Sequence, residues 1–230
     1  MKIIKPPLLK EGDTIGILAA SGVMEDDTNL KRAINLFENK GYKVKLSDNV
    51  YSKNRYLAGT DKERLDAIHK MFADKSVNAI ICLRGGYGTI RLINKIDYGL
   101  IRENPKIFCG YSDITALNAM FLKHAGLMTY SGPMILSDFG QESLNEYTIN
   151  KFFATVCEGK FDYDGTFWGG NLSTLVSLCG QEFIPDFEFT LFLEDLNEPP
   201  YKIDKMVTQL FNIEKIRKNT KAIAMGDFLG

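Results

Sequence analysis

Residues 77–88 read VNAIICLRGGYG and residues 106–118 read KIFCGYSDITALN, and these two stretches decide the fold. Each is a short, almost unbroken apolar run of strand length that delivers the chain into a polar turn. The first turn is Arg84-Gly85-Gly86-Tyr87-Gly88 and the second is Ser112-Asp113, and a helix is predicted after each. Apolar runs of this kind belong to strands covered by helices on both faces, the pattern of a mainly parallel sheet. In such sheets ligands gather beyond the carboxyl ends of the strands, so the two turns are where chemistry is expected.

Outward from there, DTIGILAAS (13–21) is a further buried strand. Leu30, Ala33, Ile34 and Phe37 recur at helical spacing before Gly41, which reads as the helix stop. Tyr42, Val44 and Leu46 alternate as a half-buried strand does. Thr60 and Glu63 stand at capping-box spacing at the head of a helix whose buried stripe is predicted to be Leu65, Ile68 and Phe72. Another helix is predicted from about Leu144 to Val156, ending at Gly159.

This order predicts an α/β fold: an N-terminal domain over 1–158, a mainly parallel sheet flanked by helices, and a hinge over 159–168 in the turn-rich run FDYDGTFWGGN. A smaller, β-rich C-terminal domain is predicted over 169–230. It carries a short helix in NLSTLVSLCG, an alternating strand in FEFTLFLE, a helix with Ile203, Met206, Val207 and Leu210, and a last strand in KAIAMGDF. A domain that finishes on one strand lacks partner strands, so this unit is expected to be truncated.

Composition narrows the functional classes. Twenty-eight basic residues against 29 acidic ones give a net charge of −1, which leaves no field to recruit nucleic acid or an anionic membrane surface. Pro6, Pro7, Glu11 and Asp13 interrupt the start of the chain where a signal peptide needs an apolar stretch, and no run reaches the roughly 18 apolar residues of a membrane span. A cytoplasmic location is therefore expected. Cys82, Cys109, Cys157 and Cys179 form no C-x-x-C pair and read as free thiols, and with His69 and His124 the only histidines, neither metal nor cofactor is expected.

Three positions invite a catalytic reading. Ser112, on a sharp turn between strand and helix, would expose its hydroxyl beside helix N-terminal amides; a helix N-cap is the plainer reading, since the second glycine of the usual nucleophile elbow is missing. Gly85, Gly86 and Gly88 allow close backbone approach or positive φ, so an amide of this turn can serve as an oxyanion donor, while a simple tight turn fits equally well. Phosphate-cradling fingerprints are not met. Glu194, at the end of FEFTLFLE, suits a carboxylate that orients a histidine, or a solvated turn residue.

Seven motifs in order, LKEGDTIGILAASG, RYLAGTDKERLDAI, CLRGGYGTIRLINKIDY, FCGYSDITALN, TYSGPM, GGNLSTLVSLCG and LFLEDLNEPPYKIDKMVTQL, resemble the LD-carboxypeptidase family, which also contains the microcin C7 self-immunity proteins. The resemblance implies a serine carboxypeptidase with a Ser-His-Glu triad that removes the terminal D-Ala from murein tetrapeptides in cell-wall recycling. It maps the nucleophile onto Ser112, the triad carboxylate onto Glu194 and the oxyanion donors onto the backbone amides of Asp113 and Gly86. Gly85, Tyr87, Asn171 and Trp168 are the positions expected to meet the substrate, a small muropeptide, and a homodimer is expected from the family's habit. The family's histidine lies downstream of the glutamate, and no residue from 195 to 230 is histidine, so a polypeptide of these 230 residues is expected to be truncated or inactive. Two alternatives stand beside this: an immunity-type hydrolase of peptidyl or aminoacyl nucleotides, in which Trp168 stacks a base, or a non-catalytic muropeptide-binding module.

Overall fold

The computed structural model describes residues 2–162 and 165–229. The chain opens with β1 (Thr14–Leu18), α1 (Thr28–Asn39), β2 (Lys43–Leu46), α2 (Asp61–Ala73), β3 (Ala79–Cys82), α3 (Tyr98–Glu103) and β4 (Ile107–Cys109). The four strands form one parallel sheet in the order β2-β1-β3-β4, and a parallel bridge between Cys109 and Tyr130 extends it beyond β4. Alternation along the buried strands divides the core. Ile15, Ile17 and Ile81 pack with Leu30, Ala33 and Phe37 of α1 on one face, while Ile80, Cys82 and Phe108 pack with Ile68, Met71 and Phe72 of α2 on the other.

The capping box at Thr60 forms as predicted: the Glu63 amide donates to Thr60 Oγ1 at 3.2 Å and the Thr60 amide donates to Glu63 Oε2 at 2.7 Å. The buried stripe of α2 is wider than predicted. It includes Arg64, which is 0 % exposed. A guanidinium tolerates that burial only with partners for its donors, and these prove to belong to the functional region.

Beyond β4 a tight turn at Ser112–Ile114 leads into α4 (Thr115–Met120), a wider turn at Phe121–Ala125, and Gly126 in the left-handed region. The predicted 144–156 helix is α5 (Glu146–Glu158), closed by Gly159 at φ 68°. The second unit consists of β5 (Phe167–Asn171), α6 (Leu172–Ser177), β6 (Phe189–Leu196), α7 (Pro200–Phe211), α8 (Glu214–Asn219) and β7 (Thr220–Leu229). Its sheet is parallel throughout, in the order β5-β6-β7.

Part of the expected hinge differs. Tyr163 and Asp164 lie outside the described residues, but Phe167 and Trp168 belong to β5. The glycine pair hid this strand, because Gly is depleted in strands, and here both glycines hold positive φ, 143° at Gly169 and 140° at Gly170. A Cβ on Gly169 would sit 1.9 Å from the carbonyl oxygen of Phe192, and one on Gly170 would sit 2.7 Å from Thr115 Oγ1. These glycines permit β5 to press against β6 on one side and α4 on the other.

The two units therefore share α4. Its Leu117 faces the core of the first sheet, while Ala116, Ala119 and Met120 pack with Trp168, Leu172 and Leu175 of the second. The Asn171 amide donates to Thr115 Oγ1 at 3.1 Å across the same seam.

Candidate active site

Ser112 sits where β4 turns into the α4 region, and its φ of 59° places it in the left-handed conformation that a side chain normally avoids. Its hydroxyl caps no helix: the turn carries no side-chain cap hydrogen bond, and Ser112 Oγ has no hydrogen-bond partner among the described residues. The N-cap reading is thereby corrected. Strain held at a single residue on a strand-to-helix turn, with the side chain free, is the geometry of a nucleophile elbow. Gly110 permits the turn, since a Cβ there would meet Ile114 Cγ2 at 2.9 Å and Cys82 Cβ at 3.1 Å.

A glycine from another loop lies against the serine turn. Gly85 lies so close that an added Cβ would fall 2.9 Å from Ser112 Cβ and 3.0 Å from its Oγ. Gly85, expected to meet the substrate, lies against Ser112. Gly86 follows at φ 127°, its amide without a hydrogen-bond partner among the described residues, and the Asp113 amide is likewise unpartnered. Tyr87 is exposed, its ring 6.0 Å from that of Tyr56.

Residues that sequence reasoning passed over hold this turn in place. The Asp113 carboxylate is buried and accepts from Ser21 Oγ at 2.6 Å and from the Thr89 amide at 3.0 Å, while Thr89 Oγ1 donates to the Asp113 carbonyl at 2.7 Å. Arg64 Nη1 donates to the carbonyls of Ala20 and Gly88, both at 2.9 Å, and its Nη2 to Asp61 Oδ1 at 2.7 Å. Burial pulls the Arg64 guanidinium down from its usual range and the charge of Asp61 opposes that. Together they tie the end of β1, the glycine turn and the serine turn into one rigid cradle. The one available signal was Arg64 itself, a charged residue on the inward face of α2.

Glu194 lies on β6 with Asn171 of β5 opposite it. On the other side β7 bulges, since Leu193 pairs with Met225 but Asp195 pairs with Phe228. Gly226 makes room there, as a Cβ on it would lie 3.0 Å from Glu194 Cβ. Such bulges re-aim a neighbouring side chain. Glu194 Oε1 is buried without a hydrogen-bond partner among the described residues. Burial pushes its carboxyl above the usual range and the Asp195 charge adds to the push, against the Asn171 amide. The field of Glu194 reaches Tyr111, the neighbour of Ser112, whose phenol is raised mainly by burial.

Two residues expected to meet the substrate make contacts within the chain. Asn171 Oδ1 accepts from the Thr174 amide at 3.0 Å, Thr174 Oγ1 at 2.8 Å and Ser173 Oγ at 2.9 Å, and its Nδ2 donates to Asp195 Oδ1 at 2.9 Å. The side-chain oxygen caps α6, while its amide faces the Glu194 and Asp195 carboxylates. Trp168 is 5 % exposed, with ring centroids 4.8 Å from Phe189 and 5.8 Å from Phe183, so it is a core residue of the second unit and not a ligand-facing turn residue. Both histidines are engaged elsewhere: His69 Nε2 accepts from the Asp97 amide at 3.0 Å, and His124 Nε2 lies 2.8 Å from the Glu182 carbonyl. Among the described residues no three His, Cys, Asp or Glu side chains cluster as a metal site, and no helix is long and apolar enough to cross a membrane.

Residues 15–132 match the family profile described as the LD-carboxypeptidase N-terminal domain, and residues 164–230 match the LD-carboxypeptidase C-terminal domain. The chain is 39 % identical over 222 residues to a probable murein peptide carboxypeptidase of Bacillus subtilis, covering 90 % of this chain and 69 % of that protein. Among solved structures, the muramoyltetrapeptide carboxypeptidase of Oxalobacter formigenes is 34 % identical with a TM-score of 0.85, covering 94 % of this chain and 78 % of that one. An MccF-like protein of Bacillus anthracis is 29 % identical with a TM-score of 0.90, covering 98 % and 81 % respectively.

Proposed function

The chain belongs to the LD-carboxypeptidase family, and from that membership we propose that its site is built to release the terminal D-Ala of murein tetrapeptides by serine acyl transfer. Ser112 Oγ attacks the carbonyl that joins the diamino acid to D-Ala. The amides of Asp113 and Gly86 receive the oxyanion, the D-Ala amine leaves with a proton, and water hydrolyses the ester on Ser112. Glu194 is the carboxylate suited to orient a proton-carrying imidazole, a role that neither His69 nor His124 fills. The labour divides between the units, with nucleophile and oxyanion donors from 1–158 and the carboxylate from 169–230.

The observation that carries this reading is Ser112 itself: a strained, uncapped serine at φ 59°, pressed against Gly85 and flanked by two unpartnered amides. The buried, orphaned Oε1 of Glu194 supports it, since an imidazole N–H would satisfy that oxygen. An immunity-type hydrolase of aminoacyl nucleotides is the second reading, favoured by the likeness to the MccF-like protein. It loses the base-stacking residue expected of it, because Trp168 is buried.

The test is D-Ala release from a murein tetrapeptide by the 230-residue polypeptide. Without the imidazole, binding and oxyanion stabilisation leave about 10³-fold acceleration over water. Slow release is expected, together with acylation of Ser112 by an activated ester, read by intact mass and absent in Ser112→Ala, and with no cleavage of an aminoacyl sulfamoyl-adenylate. Acylation that persists in Ser112→Ala would remove the nucleophile assignment, and preferential cleavage of the nucleotide would favour the second reading.

A further inference from the structure

An enzyme that removes one terminal residue must recognise a free carboxylate one residue from the scissile bond, and none of the groups described so far does so. Resting on the muropeptide reading, we propose that Arg84 is the residue that binds the substrate's terminal carboxylate.

Of the cations near the glycine turn, Arg84 and the exposed Arg55 are without an ion pair among the described residues, and the others are engaged. Arg64 is buried on two carbonyls and Asp61, Arg91 Nε pairs with Asp61 at 2.8 Å, Lys95 lies 3.9 Å from the same carboxylate, and Lys53 pairs with Glu25 at 2.6 Å. Arg84 has no carboxylate within 4.0 Å among the described residues. One of its five N–H donors is used, Nη1 to the Val23 carbonyl at 3.1 Å, which anchors the fork and leaves the other donors free. A planar guanidinium held in this way matches a carboxylate bidentately.

Its position follows from two glycine contacts. A Cβ on Gly22 would meet both Gly85 O at 2.8 Å and Arg84 Nε at 3.2 Å, and Gly85 is the residue in contact with Ser112. Arg84 Nε and the Gly85 carbonyl therefore both border Gly22, and Gly85 borders Ser112. The acids at the site cannot take this role: Asp113 and Glu194 would repel a substrate carboxylate.

The experiment measures binding by calorimetry in a Ser112→Ala background, which prevents turnover. The ligands are a murein tetrapeptide and its C-terminal carboxamide, each in diaminopimelate and lysine forms. The acid is expected to bind about 10- to 100-fold tighter than the amide, the range for a charge-assisted pair. Arg84→Gln should abolish that preference, Arg84→Lys should restore part of it, and Arg55→Gln, at the other unpaired cation near the glycine turn, should leave it intact; a preference lost in Arg55→Gln would overturn the Arg84 assignment. Arg84 is exposed, so its variants should melt like the parent. Equal binding of acid and amide by the parent, or a preference that survives Arg84→Gln, overturns the Arg84 assignment and leaves the muropeptide reading standing. If no peptide binds at all, the muropeptide reading falls and this inference falls with it.

Discussion

Gly85 and Ser112, 27 positions apart in sequence, touch: a methyl group on Gly85 would lie 2.9 Å from Ser112 Cβ and 3.0 Å from its hydroxyl. The contact locks the strained serine from the side that a second elbow glycine would leave open. It ties the two turns after β3 and β4 into one device.

Gly85→Ala should therefore push Ser112 out of place without unfolding the chain, since Gly85, unlike Gly86, does not hold positive φ. The expected cost to stability is about 1–3 kcal/mol, the range for inserting one methyl into a packed site. Acylation of Ser112 by an activated ester, followed by intact mass, should slow about 100-fold, the effect of a displacement near 1 Å. A variant that acylates at the parent rate would show that the contact does not position the nucleophile.

The Asp113 carboxylate fixes the serine turn through the backbone on one side and through Ser21 and Thr89 on the other. Asp113→Asn keeps the shape but loses the charge-assisted bond from Ser21, so a loss of about 1–3 kcal/mol is expected in denaturant unfolding. Ser21→Ala should cost less. In the double variant the two losses should fall short of adding, by at least about 0.5 kcal/mol, because they break the same bond. Strict additivity would mean the pair does not couple.

Arg64→Met tests the other half of the cradle. It orphans the carbonyls of Ala20 and Gly88 and leaves Asp61 with Arg91 as its nearest cation. A loss on the order of 3 kcal/mol is expected. Limited proteolysis should then cut first near the glycine turn. Protection there equal to the parent's, at equal global stability, would count against the clamp.

What the sequence disclosed and what it hid follow one physical rule. Apolar periodicity is local, so α1, α2, α5 and the strands on either side of the two turns were legible, and so was the capping box at Thr60. β5 was not, because its glycines serve contacts with Phe192 and Thr115 that no local pattern encodes. The serine and glycine turns were visible as punctuation, but their contact, and the links from Ser21, Arg64 and Thr89, join residues 24 to 92 positions apart. The packing of Trp168 and the bonds of Asn171 were hidden for the converse reason. A tryptophan beside glycines and an asparagine at a helix start resemble binding residues until the burial of one and the capping bonds of the other are known.

Glu194 offers the one test by pH. Burial and the Asp195 charge raise its carboxyl in the folded chain, so folding favours the protonated form. The stability this gives is fully present below the ordinary glutamate range, near pH ~4.3, and is lost as pH rises through the folded value. Glu194→Gln removes the titration while keeping the shape. The parent should therefore melt close to the variant at low pH and fall progressively below it as pH rises, reaching a constant gap once Glu194 is ionised in the folded state. A gap that stays flat across the range, or that closes as pH rises, would mean the carboxylate is already satisfied, and the case for an imidazole partner at Oε1 would be lost.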